Sequence, residues 1–359
     1  LSAGVKYTGL LGLLTLWAWL FIKRPQDWIT RGLKGSALAG LALIITTPGI
    51  VLDTAAFWRD FTFEMAHTST GHGLEFAATG TGFGYHVANL FIGVGAILTL
   101  IGVAGLAHAA FRKHPWALAL LSFFLPYYIL IGKSEVKFLR YTFPLTIGLS
   151  VGFGWAMSRA HERRGPWLAL PMVGILGLGG ADTGGLRWSA LYTMSMASRD
   201  ARDEAGQYLK AVGVGKSVGL VSDPWFWTAA VYPDAAIPRA GGPEGIFAAM
   251  DAANDPKVLR YRPPNVADRF EWDERLLAEN KPDYVTFSNF DNVHVERFAN
   301  LGVQDPVLKL QVDRYKAFGS RLSAEYRIDR VFGVFGPQLA PDMTYVQPVI
   351  YVWKRRHTP

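Results

Sequence analysis

Three cations, Lys133, Lys137 and Arg140, stand close together in the segment GKSEVKFLRYTFPLTIGL, between two apolar stretches. On a helix they fall at i, i+4 and i+7, so the spacing predicts one shared face with Tyr141 beside them and Glu135 turned away. A cationic face at a bilayer boundary suits a phosphate group. Lys offers a mobile point charge, Arg a planar donor fork, and both act more strongly where water is scarce. The same side chains also suit interfacial anchors reaching for headgroups, and this segment alone leaves the two readings level.

The elements that must position them are apolar runs of about 17 to 24 residues, near the length that crosses a bilayer. Six are read: Val5 to Ile22, Ser36 to Leu52, Val87 to Ala110, Pro115 to Gly132, Thr142 to Met157 and Trp167 to about Leu186. The last carries Pro171, Asp182 and several glycines, which suits a broken helix. Positive charge sits in alternate links: Lys23, Arg24, Arg31 and Lys34, then Arg112 and Lys113, then Arg159, Arg163 and Arg164. Excess Lys and Arg marks the cytoplasmic side. The expectation is therefore a polytopic α-helical membrane domain over 1–186. Its 53–86 link, the Lys133 cluster and everything after residue 187 face outward. The net charge of +7 is spread over links with no basic stripe, which argues against nucleic acid as a partner. The chain has no cysteine and so needs no oxidising compartment.

The 53–86 link carries its own pattern. On a helix, Asp53, Asp60, Glu64 and His67 gather on one face, and Phe57, Trp58, Phe61 and Met65 on the next, as in a helix lying in the membrane interface. The stretch HTSTGHGLEFAATGTGFGYH is Gly- and Thr-rich and reads as a loop holding His67, His72 and His86. With Glu64 and Glu75 nearby a metal is conceivable, but the spacings match no ligand pattern. An interfacial position or contact with a substrate suits these histidines, His67 and His72 among them, better, so no metal and no cofactor is expected.

Over 187–359 a polar helix at about Ser198 to Val212 precedes strand-like SVGLVSD, with further strands at DYVTFSN and QPVIYVW. Helical stretches around Glu274 to Glu279, Val293 to Leu301 and Tyr315 to Arg321 complete an α/β layer domain. The insert from Asp223 to Asn265, with Trp225, Trp227 and Tyr232, reads as an irregular excursion whose aromatics pack or touch a sugar or membrane. GVGKS at Gly213 to Ser217 lacks the first glycine and the preceding strand of a phosphate loop. The Gly80, Gly82 and Gly84 run lacks dinucleotide flanks, and no nucleophile elbow or His-Glu-x-x-His motif occurs.

The order of several motifs resembles the C-terminal two thirds of bacterial GT-C membrane glycosyltransferases of families 39 and 83, relatives of protein O-mannosyltransferases and of aminoarabinose transferases that modify lipid A. These motifs are AGVKYTGLLGLL at Ala3 to Leu14, TTPGIVLD at Thr46 to Asp53, EMAHTSTGHG at Glu64 to Gly73 and KSEVKFLRYTFPL at Lys133 to Leu145. The SRDARDEAGQYL opening of the tail and its QPVIYVWKRR ending complete the set. The resemblance implies transfer of a sugar from a polyprenyl-phosphate donor to an acceptor on the outer face. Cations near Lys133 then hold the lipid phosphate, and an acidic residue of the first outer loop acts as base. The family's base follows its first span, which would precede Leu1, so it maps onto no residue of this sequence. Asp53 and Asp60 are the nearest carboxylates on the outer side, as base or as residues orienting the interfacial helix. The alternative is a non-catalytic subunit of the same fold bracing partner chains of a membrane complex. A transporter is disfavoured by the scarcity of intramembrane charge.

Overall fold

A computed structural model describes residues 7–71, 73–165, 186–231, 256–265, 268–333 and 346–356. The chain divides into two compact units, Leu1–Leu191 and Tyr192–Pro359. In the first, a 3-10 turn at Tyr7–Leu11 leads into α1 (Gly12–Lys23), α2 (Trp28–Thr46), the single-turn α3 (Gly49–Leu52) and α4 (Thr54–Thr70). There follow α5 (Gly82–Val94), α6 (Ala96–Phe111), α7 (Pro115–Gly132) and α8 (Phe143–Arg164). Among the described residues α2 and α7 are long and apolar enough to cross a membrane, and α5 with α6 makes a third if the bent pair counts as one span.

The spans differ from the expected runs for local reasons. Val87 to Ala110 is not one straight helix: α5 and α6 meet at a bend of 113°. The bend is at Gly95, whose φ of +90° is a conformation that side chains resist. The second run starts earlier than Ser36 and stops at Thr46. Pro48 lacks an N–H and disfavours helical geometry at Thr47, which sits at φ −132°. The first run becomes the 3-10 turn and the 12-residue α1, too short to cross alone. The fifth continues past Met157 to Arg164. Except for Leu186, the sixth lies outside the described residues.

α6 and α8 pack backbone to backbone. A Cβ on Gly105 would stand 2.0 Å from the Gly152 carbonyl oxygen, and one on Gly152 would stand 2.2 Å from that of Gly102. Leu90, Leu106, Phe124, Tyr127 and Leu149 form the surrounding core.

The second unit is an α/β layer. α9 (Leu186–Ala197) contains the division between the units, and α10 (Ala201–Val212) precedes β1 (Ser217–Leu220), β2 (Lys257–Leu259) and β3 (Tyr284–Ser288). α11 (Asn289–Leu301), α12 (Pro306–Glu325), β4 (Tyr326–Phe332) and β5 (Ile350–Arg355) follow. The strand order is β2-β1-β3-β5-β4, parallel across β2, β1 and β3 and antiparallel on both sides of β5. Val218 pairs with Tyr284, and Thr286 with Val352. The expected strands are β1, β3 and β5. β4 escaped the reading, and β2 lies inside the insert expected to be irregular, of which 232–255 lies outside the described residues. The stretch Glu274 to Glu279 forms a π-type turn at Leu276–Asn280. Val218, Leu220, Tyr284, Ile350 and Val352 bury one sheet face against Ala205 and Leu209 of α10.

Candidate functional site

The cationic segment is not a helix, which overturns the predicted shared face. α7 ends at Gly132, residues 133–138 are irregular, and a 3-10 turn at Leu139–Thr142 enters α8. Side-chain bonds displace helical ones here. Ser134 Oγ accepts from the Val136 N–H (3.1 Å) and donates to the Thr68 carbonyl (3.1 Å), to which the Glu135 N–H also donates (2.9 Å). The segment is thereby pinned to the last turn of α4. Lys133 and Arg140 remain exposed, while Lys137 turns inward and is only 1% exposed.

The Lys137 ammonium donates to Thr79 Oγ1 at 3.3 Å and to Glu135 Oε2 at 3.2 Å. Glu135 is therefore its counter-ion and does not point away. An ammonium removed from water requires such partners. Asn89 of α5 donates to the Lys137 carbonyl at 2.9 Å and lies 3.4 Å from Nδ1 of the fully buried His86. The Arg140 guanidinium covers the Phe138 ring at 3.8 Å and stands 5.8 Å from the Tyr141 ring. Burial raises the Tyr141 phenol; Arg140 opposes that and the Glu64 carboxylate of α4 adds to it. The site thus gathers Glu64, Thr68, Thr79, His86, Asn89 and the 134–141 segment.

The other expected residues lie apart from this cluster or serve the fold. α4 is a helix as predicted, but Asp53 is its cap, with Oδ1 accepting from the Ala56 N–H at 3.0 Å. Asp60 pairs with Arg59 at 3.0 Å on the open surface. His67 stands on α4, stacked on Phe63 at 6.1 Å, and His86 on α5, so the loop is confined to 71–81. His72 lies outside the described residues. Among the described residues no three His, Asp or Glu converge as metal ligands. An apolar cavity of about 460 Å³ lined by Leu16, Trp19, Trp116, Leu120 and Val151 is distant from the Lys137 cluster. Leu120 lies roughly 18 Å along α7 from Gly132 at the helical rise.

The α/β unit holds a second polar cluster that the sequence reading missed. The chain leaves β1 for β2 on one side and β3 for β5 and β4 on the other, the arrangement that opens a crevice at strand carboxyl ends. There Asp291 Oδ1 accepts from Ser222 Oγ (2.6 Å) and Trp227 Nε1 (3.0 Å), while Oδ2 accepts from the Ser288 N–H (2.7 Å) and hydroxyl (2.8 Å). Trp227 also stacks on Phe290 at 5.3 Å, so this aromatic packs. Buried Arg260 donates from Nε to Asp223 at 3.2 Å. The only sequence cue was that SVGLVSD and DYVTFSN each end in a serine beside a polar residue.

At the rim of the crevice His294 Nε2 is 3.8 Å from Glu271. Burial, then the Asp291 carboxylate, raise Glu271 to about 7, with Arg260 opposing. Burial, then Arg297, lower His294 to about 4. The raised Glu271 contributes stability that is full below its ordinary carboxyl range and lost as pH rises through 7. The lowered His294 contributes stability that is full above its ordinary imidazole range and lost as pH falls through 4. The two slopes oppose between those limits. Stability of the unit, followed by urea unfolding, is therefore expected to be nearly flat across that interval. In Glu271→Gln it should rise with pH as His294 acts alone. A flat profile in the variant would show that the histidine is not held neutral.

Comparisons with models of protein families, with curated proteins and with solved structures give no match to this chain.

Proposed function

We propose that this is an integral membrane glycosyltransferase that moves a sugar from a polyprenyl-phosphate donor to an acceptor on the outer face of a bacterial inner membrane, with the α/β unit on the extracytoplasmic side. The observation that carries the reading is Lys137, a cation withdrawn from water in an apolar helical unit and balanced by a carboxylate that is itself 60% exposed. Exposed Lys133 and Arg140 flank it on the same short segment. A donor phosphate arriving at Lys133 and Arg140 meets mobile charge and a fork already oriented by stacking on Phe138. As the glycosyl C–O bond breaks, negative charge develops on the phosphate oxygens, and cations beside them lower the barrier. The acceptor hydroxyl gives its proton to a base. Glu64, whose charge reaches Tyr141, is better placed for this than Asp53 or Asp60, whose carboxylates serve a helix cap and a surface ion pair.

The test uses the full chain in nanodiscs with polyprenyl phosphate. Because Lys133 and Arg140 are exposed, Lys133→Gln with Arg140→Gln should leave the fold intact and weaken lipid-phosphate binding by about tenfold, the scale of two charge-assisted contacts at a wet boundary. Unchanged affinity would end the phosphate assignment. The structural roles of Asp53 and Asp60 favour a second reading, a non-catalytic subunit of the same fold bracing partner chains. Retained lipid binding without transfer of labelled sugar by the native assembly would select it.

A further inference from the structure

The α/β unit contains a cavity of about 390 Å³ lined by Asp268, Arg269, Phe270, Arg275 and Arg314. Three guanidinium groups around one cavity are costly unless each has a partner, because like charges repel and their N–H donors need acceptors. Arg275 is held by buried Asp273 through a two-point contact, Nε to Oδ1 at 2.9 Å and Nη2 to Oδ2 at 2.6 Å. Arg269 lies 3.8 Å from Asp223. Arg314, on the middle of α12, stacks on Phe270 at 3.5 Å and has neither hydrogen bond nor ion pair among the described residues. Stacking fixes the plane of the guanidinium and leaves its N–H edge to a ligand.

We propose that this cavity binds a phosphate group, carried by a soluble phosphorylated sugar or by a lipid. A carboxylate presents two oxygens in one plane and satisfies one fork. A tetrahedral phosphate presents oxygens in several directions and can meet Arg269, Arg275 and Arg314 together. The Phe270 face is already covered by Arg314, and Arg275 stands 5.3 Å from the same ring, so sugar stacking on this ring is not the mode of recognition. Asp268 supplies an acceptor for a hydroxyl of the group bearing the phosphate. Burial, and then the charge of Arg275, lower the Arg314 pKa against the pull of Asp273, and a bound anion relieves both. The second unit carries this site independently of any sugar transfer by the first.

The experiment is calorimetric titration of the full chain in a neutral detergent with three probes: inorganic phosphate, glucose 1-phosphate and short-chain phosphatidate. At least one probe should bind with a Kd at or below about 1 mM, as a multi-arginine contact allows. Arg314→Gln should weaken it about tenfold, and Arg314→Lys, which keeps charge and packing but loses the fork, by less. Arg321→Gln on the same helix, where Arg321 already pairs with Glu325 at 2.9 Å, should leave it unchanged. Arg314-dependent binding of the soluble probes supports the site with a soluble source, and of phosphatidate alone, with a lipid source. No binding, or equal binding by wild type and both Arg314 variants, overturns it.

Discussion

Leucine in place of Gly105 or Gly152 is expected to abolish folding of the helical unit, and alanine at either position to destabilise it by about 3 kcal/mol, the upper range for overpacking. The reason is the direct backbone contact of α6 with α8. The Gly105 Cβ position lies 2.0 Å from the Gly152 carbonyl and 3.1 Å from Ala156, and backbone cannot yield as a side-chain tip does. Such close approach makes dispersion contacts that are lost once the two helices are pushed apart. Thermal unfolding in detergent measures it, with Gly154→Ala as the comparison. Gly154 lies on the same helix with nothing within 4 Å of its Cβ position, so its variant should melt with wild type. Equal losses at Gly152 and Gly154 would mean that helix flexibility, and not the contact, sets the effect.

Asp291→Ala should be the most damaging single change in the α/β unit, costing about 4 kcal/mol. Its carboxylate gathers four donors from three parts of the chain: the Ser222 hydroxyl, the Trp227 indole and both donors of Ser288. The residue is 6% exposed, so water does not readily replace the lost acceptor, and hydrogen bonds to charged groups contribute roughly 1.5–3 kcal/mol each before relaxation. The same change also removes the capping box at the start of α11. Asp305→Ala, which removes only the exposed cap of α12, should cost about 1 kcal/mol. Urea unfolding of both variants separates the cases, and similar losses would show that the crevice network adds nothing beyond capping.

Patterns of period and length carried the elements well where one face is buried, and carried α4 although none of its residues is buried. α4, α10, β1, β3 and β5 lie where alternation or helical spacing placed them. Helical spacing failed as a guide at Lys133 to Arg140, because the segment is bounded by Gly132 and Pro144 and Ser134 offers the backbone other partners. It failed again at Gly95, where an apolar run long enough to cross a bilayer is bent by one residue. Neither polar cluster could be read from spacing. Lys137 meets Thr79 and Asn89 only after α7 folds back beside α5. Asp223 meets Arg260 only through parallel pairing of β1 with β2. Arg269 and Arg314 stand around one cavity only because α12 packs against the 268–275 segment. Local sequence holds no record of such meetings.

The place of β5 sets the order in which the tail can be completed during synthesis. Among the described residues it is the last strand in chain order, yet it separates β3 from β4 and is the only described partner of β4 in the sheet. Until the ribosome has passed Arg355, the three parallel strands end in an unpaired edge at β3 and the β4 segment has nowhere to zip. Such an edge invites association with other chains. Pairing of β4 therefore waits on β5, and removing β5 would expose two edges at once.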